Sequence, residues 1–229
     1  MGDKDIPGLV TFLRARHNER FFQPIGVLNR ARGSERGYGF ASLALCSLLI
    51  ETIQSFREGL PTTNGGELSA LRRTPNVPPQ FQLPAPPAVC GREAFTRFFK
   101  QYQSHFPELC GDTYYDQVRN GLLHQAQTKG GWTIRKSCTK NVQCVADVPR
   151  RVLYRDDFAE ALESSFKEYL DELSKTAWTD DLWKKAARKI WWLIHTSSPP
   201  REMPVEKRAK IDQLDRLTAR KLPGPSGEA

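Results

Sequence analysis

Apolar residues recur at spacings of three and four over most of this chain, the signature of amphipathic helices. In residues 40–58 they are Leu43, Leu45, Cys46, Leu48, Leu49, Ile50, Ile53 and Phe56. That arc is wide enough for a helix at the centre of a bundle. Arg57, Gly59 and Pro61 mark where it stops. Residues 93–106 carry an aromatic stripe of Phe95, Phe98, Phe99, Tyr102 and Phe106, closed by Pro107. Asp112 is placed to cap a further helix bearing Tyr114, Tyr115, Val118, Leu122 and Leu123. Asp156 or Asp157 opens a long helix with Phe158, Leu162, Phe166, Tyr169, Leu170 and Leu173 on one face. Thr179 or Asp180 opens the last well-patterned helix, within residues 176–196. Residues 5–32 predict one or two short helices, interrupted at Pro24.

Two stretches break the helical period. Seven prolines lie between Pro61 and Pro87, so residues 60–90 are expected to be a connector without regular structure. In residues 131–155 the alternation is that of strands: 132–134 and 142–145 joined as a hairpin by 136–141, with 151–154 as a third strand. Residues 197–229 are polar and Pro-rich, with a helix at 205–221 and a disordered end. The expected fold is mainly all-α: a helical bundle over residues 1–175, a small basic β-hairpin inserted in it, and a C-terminal helix. Strands and helices do not alternate, which excludes a Rossmann-type sheet. There is no GxxxxGK[ST], GxGxxG or HExxH.

Charge sharpens the picture. The net charge of the 229 residues is +8. Arg119, Lys129, Arg135, Lys136, Lys140, Arg150, Arg151 and Arg155 fall within 37 residues that hold one acid, Asp147, so this segment alone carries +7. Localised positive charge is the footprint of a nucleic-acid binder, and equally of a solvated basic face. The longest apolar candidate, residues 40–50, falls short of the roughly 18 residues of a spanning helix. The first residues have no apolar core of a secretory signal. A cytoplasmic protein without a membrane partner is the resulting expectation. Five cysteines in no CxxC pair suit free thiols, and His105, Cys110, Cys138 and Cys144 match no common zinc spacing.

The chemistry concentrates in Arg119-Asn120-Gly121-Leu122-Leu123-His124. Asn120 and His124 lie one helical turn apart on one face. Arg119 stands about 140° from His124 on an ideal helix, a poor geometry for one helix acting alone. A second copy across a two-fold axis would supply a matching Arg, Asn and His. Gly121 costs helix stability, about 1 kcal/mol against Ala, and lets another backbone approach closely.

This Arg-Asn-x-x-x-His run resembles the Rx4–6H motif of the HEPN superfamily, in the subform with a polar residue after the Arg. The motif's place in a helical bundle, with a long amphipathic helix following, agrees with that resemblance, which covers about residues 5–175. It implies a homodimeric, metal-independent endoribonuclease, of the kind used as toxins or in antiviral defence. The 2′-hydroxyl of RNA would attack the adjacent phosphate and leave a 2′,3′-cyclic phosphate. His124 would move protons. Arg119 would hold the phosphate and its developing charge. Asn120 would orient His124 or bond the phosphate or ribose. The resemblance also suggests a polar residue on the central helix, for which Glu51 is the candidate; within the polar stripe of Ser47, Gln54, Ser55 and Glu58 it equally reads as part of a solvated face. An antitoxin or other defence-system partner protein is implied as well. Yet Ala126 stands where toxins paired with a nucleotidyltransferase often carry a modified Tyr. The same resemblance admits a non-catalytic module that binds RNA, a nucleotide or a protein. No cofactor or metal is called for.

A second RNA-binding surface is expected on the last helix. With Leu182, Ala186, Ile190, Leu193 and Ile194 turned inward, Lys185, Arg188, Lys189 and Trp192 share an outer stripe. Together with Lys129, Arg135, Lys136, Lys140, Arg150 and Arg151 they complete the candidate RNA contacts. A dimer contact or a plain solvated face would use the stripe equally well.

Overall fold

The computed structural model describes residues 5–31, 37–60, 91–138 and 144–196. The proline-rich connector beyond Leu60, the tail from 197, Lys140 and most of the predicted strand at 142–145 lie outside the described residues. The fold is mainly helical with one small sheet. Helix α1 (Ile6–His17) runs through a π-helical turn, π1 (Asn18–Phe22), into α2 (Gln23–Arg30). Asp5 caps α1, its carboxylate accepting from the Gly8 N–H at 2.7 Å. Pro24 does not break the path. It sits in the first turn of α2, where its missing N–H costs nothing, and π1 takes up the misfit.

Helix α3 (Tyr38–Glu58) is the central element, packed by α2, by α4 (Gly91–Gln101) and by α7 (Arg155–Ser174). Leu43, Cys46, Leu49, Ile50, Ile53 and Phe56 are fully buried. By length and composition α3 could cross a membrane, because scattered Ser and Gln residues do not lower its apolar average as much as they interrupt its apolar runs. Most of it is buried among the other helices. It ends at Gly59 in the left-handed region (φ 64°). There a Cβ would lie 2.9 Å from the Lys185 Cα.

The aromatic stripe forms the core, but α4 stops at Gln101 and irregular turns carry Tyr102 and Phe106 into it. Tyr114 stacks on Phe158 with ring centroids 5.4 Å apart. Its hydroxyl lies 3.0 Å from Ser47 Oγ, and burial pushes the phenol's pKa far above its ordinary value. The next helix starts one residue before the expected cap. Cys110 takes the cap position of α5 (Gly111–Thr113), and Asp112 accepts a hydrogen bond from Thr96 Oγ1 instead.

The sheet differs from the expected hairpin. Strand β1 (Thr133–Arg135) pairs in parallel with β3 (Val152–Tyr154), and β2 (Ala146–Asp147) pairs antiparallel with β3, giving the order β1-β3-β2. Val152 and Leu153 are buried, which makes the third strand the central one. Pairing neighbours in sequence puts the wrong strand in the middle. Helix α8 (Asp181–Thr196) adds Trp183, Ala186 and Ile190 to the common core.

Candidate active site

The motif does not sit on a regular α-helix. After α5 the chain forms a π-helical segment, π2 (Tyr114–Arg119), and only then α6 (Asn120–Gln125). The Asn120 N–H bonds back to the Tyr115 carbonyl across the wider turn. The 140° separation assumed an α-helix throughout, so it does not hold where Arg119 ends π2. Asn120 and His124 do share α6 at a spacing of four. The helix ends one residue after His124, with Ala126 in the left-handed region at φ 53°.

Glu51 reaches this motif from α3. Its Oε1 accepts from Arg119 Nε at 2.8 Å and lies 2.8 Å from Nη2. Arg119 Nη1 donates to Asn120 Oδ1 at 3.0 Å, and the guanidinium rests 5.2 Å from the Tyr115 ring centroid. The pair is largely shielded, with side chains 14% and 17% exposed. His124 is exposed at the end of α6. The elements therefore bring Glu51, Arg119 and Asn120 into direct contact, with His124 one turn beyond Asn120.

The polar stripe of α3 is not a solvated face. Ser47, Gln54 and Ser55 are buried. Ser47 meets Tyr114, Glu51 meets Arg119, and Glu58 accepts from Gln54 and from Arg97. The stripe is the seam along which α3 binds α4 and the motif segment. Gly121 also has a different neighbour from the one expected. A Cβ there would lie 2.3 Å from the Gln127 carbonyl oxygen. The close-approaching backbone is this chain's own 127–129 segment, tied down by Lys129 N–H on the Gln117 carbonyl at 2.6 Å.

Of the basic segment, Lys129, Arg135, Lys136, Arg150 and Arg151 are exposed. Arg151 donates to the Gly130 carbonyl, and Arg155 is buried below Gly39. The outer stripe on α8 is overturned in part. Arg188 and Lys189 are each 8% exposed, and Lys185 and Trp192 are half-buried. Arg188 donates through Nε to the Gly59 carbonyl at 2.9 Å and through Nη2 to the Glu58 carbonyl. It thus caps the orphan carbonyls at the end of α3. Long aliphatic stems let both side chains bury along an apolar seam. Ile194, expected inward, is exposed.

His17 has no chemical neighbours in sequence that single it out. Its ring is buried among Phe21, Phe56 and Phe166, with Nδ1 2.8 Å from the Leu13 carbonyl. Burial depresses its pKa to about 4. No group of His, Cys, Asp or Glu that could hold a metal ion occurs among the described residues. No protein-family model matches the chain, and comparison with curated proteins and with solved structures returns no match.

Proposed function

We propose that this protein is an endoribonuclease of the HEPN kind, working through Arg119, Asn120 and His124. The observation that supports the reading best is the convergence of Glu51 on Arg119 beside Asn120, because nothing in a purely structural helix requires that triad next to an exposed His. A guanidinium has five N–H donors. Glu51 and Asn120 engage its Nε, Nη1 and Nη2 once each, which leaves two N–H groups for a phosphate oxygen. The carboxylate fixes the plane of the fork, so Arg119 meets the phosphate pre-oriented. His124 takes or gives the proton at the 2′-oxygen or the 5′-leaving oxygen. The nucleophile belongs to the RNA, so the protein need only position, neutralise charge and move protons.

RNA is the substrate in this reading, and the exposed basic residues on and after β1 guide its backbone. A second copy of the chain completes the cleft with its own His124. A neutralising or defence-system partner protein belongs to the same proposal, as does a cytoplasmic site of action. The test is incubation of mixed RNA with the purified protein in EDTA, with Arg119→Lys beside wild type. Wild type is expected to cleave. Arg119→Lys should restore little, since an ammonium cannot reproduce the fork. Full activity in Arg119→Lys would contradict the role given to the guanidinium.

A further inference from the structure

A cleft of about 410 Å³ lies on the side of α3 that Glu51 shares with Thr52 and Ser55. Its other walls carry Arg16 from α1, Arg20 from π1, and Lys189 and Trp192 from α8. We infer that this cleft is a nucleotide subsite, holding a phosphate between Arg16, Arg20 and Lys189 and a base against Trp192 and Phe21. It rests on the ribonuclease reading for its place on the substrate strand, as the pocket for a nucleotide flanking the one cut at Arg119.

Three observations carry it. The first is charge. Three cations and one carboxylate, that of Glu51, line the cleft. Burial, and after it Arg20, lowers the pKa of Arg16, and burial together with Arg16 brings Lys189 down to about 8. A phosphate seated between them would meet all three cations at once. The second is the aromatic lining. Lys189 Nζ lies 5.1 Å from the Trp192 ring centroid, so charge and a stacking surface occur side by side, as in single-strand grips. The third is polarity. The Thr52 and Ser55 hydroxyls donate to the carbonyls of Leu48 and Glu51 on their own helix, so toward a ligand they act as acceptors for base N–H groups. The volume suits a mononucleotide. An acidic peptide would satisfy the cations but would leave the aromatic wall and the acceptors unused.

Glu51 links the two sites, since it lines the cleft and holds Arg119. A nucleotide bound here would sit one residue away from the proposed reaction centre.

The experiment is calorimetric titration of the His124→Ala protein with adenosine 5′-monophosphate, inorganic phosphate and a polyglutamate peptide in turn. Arg20→Ala, at an exposed position, and Arg16→Ala are made in the same background. Saturable binding of the nucleotide, tighter than that of phosphate and weakened about tenfold by either substitution with unchanged melting temperature, is expected. No saturable nucleotide binding, or binding by Arg16→Ala and Arg20→Ala as tight as that of the parent His124→Ala protein, overturns the subsite. Polyglutamate binding tighter than the nucleotide overturns it in favour of a protein partner. The readout needs no catalysis. Binding without RNA cleavage by wild type would sink the ribonuclease reading alone, and cleavage without nucleotide binding would sink the subsite alone.

Discussion

Removing Glu51 should expose how much the fold depends on its grip on Arg119. Two charges about 4 Å apart at an effective dielectric near 20 attract by about 4 kcal/mol. Desolvation offsets much of that, because both side chains are shielded from water. Hydrogen bonds to charged groups contribute about 1.5–3 kcal/mol in mutational series. Glu51→Ala is therefore expected to cost about 2 kcal/mol, a fall of about 4–8 °C in melting temperature for a domain of this size. Arg119→Ala should cost a similar amount. The double variant should lose about 1–2 kcal/mol less than the sum, because the second substitution removes a group already orphaned by the first. Urea unfolding of the four proteins measures this coupling. Activity should fall further than stability explains. Glu51→Gln keeps an acceptor oxygen and should retain more cleavage than Glu51→Ala. Costs that add to within about 0.5 kcal/mol would refute the claim that the two residues act as a unit.

Acid should unfold the protein partly through His17. Its folded pKa of about 4 lies below the ordinary 6.5, so the unfolded chain binds the proton first as pH falls. The associated stability, about 3 kcal/mol, is complete above pH 6.5 and is lost between pH 6.5 and 4. His17→Phe should flatten that part of a stability profile, and an unchanged profile would place the acid sensitivity elsewhere. Ala126→Gly should raise stability by about 1 kcal/mol, because Ala126 pays for its left-handed backbone; a lower melting temperature would contradict this. Lys136→Glu should weaken RNA binding and reduce its salt slope, as fewer counterions are released. Unchanged binding across a salt series would remove Lys136 from the RNA path. Light scattering should give a dimer, and a cleaving monomer would contradict the two-copy cleft.

The legible parts of this fold were those where one physical effect dominates. Helix α3 was readable because its apolar arc is broad and Gly59 stops it. The aromatic core was readable because Phe95, Phe98, Phe99 and Tyr102 repeat at helical spacing. The motif's geometry was not, because a π-helical turn leaves no trace in the pattern of residue types. Glu51 is legible as a candidate, but its contact with Arg119 is not, for a related reason. A stripe of Ser, Glu and Gln looks the same whether water or a neighbouring helix satisfies it, and here Tyr114, Arg119 and Arg97 do. On α8, Arg188 turns to the end of α3 and Lys189 lies over Trp192, both buried, so counting charges assigns them to the wrong face. Strand order escaped because strands of two or three residues carry almost no register information, and the parallel β1-β3 pair joins distant segments.

The central claim, that His124 moves protons while the RNA's own 2′-hydroxyl attacks, has a direct measurement. Mixed RNA and its fully 2′-O-methylated counterpart are incubated in EDTA with wild type and with His124→Ala. Because His124 is exposed, its removal should leave the melting temperature nearly unchanged. Wild type should cut only the unmodified RNA and leave 2′,3′-cyclic phosphate ends, and His124→Ala should leave both substrates whole. Cleavage of the methylated strand, or equal cleavage by His124→Ala, would contradict the account.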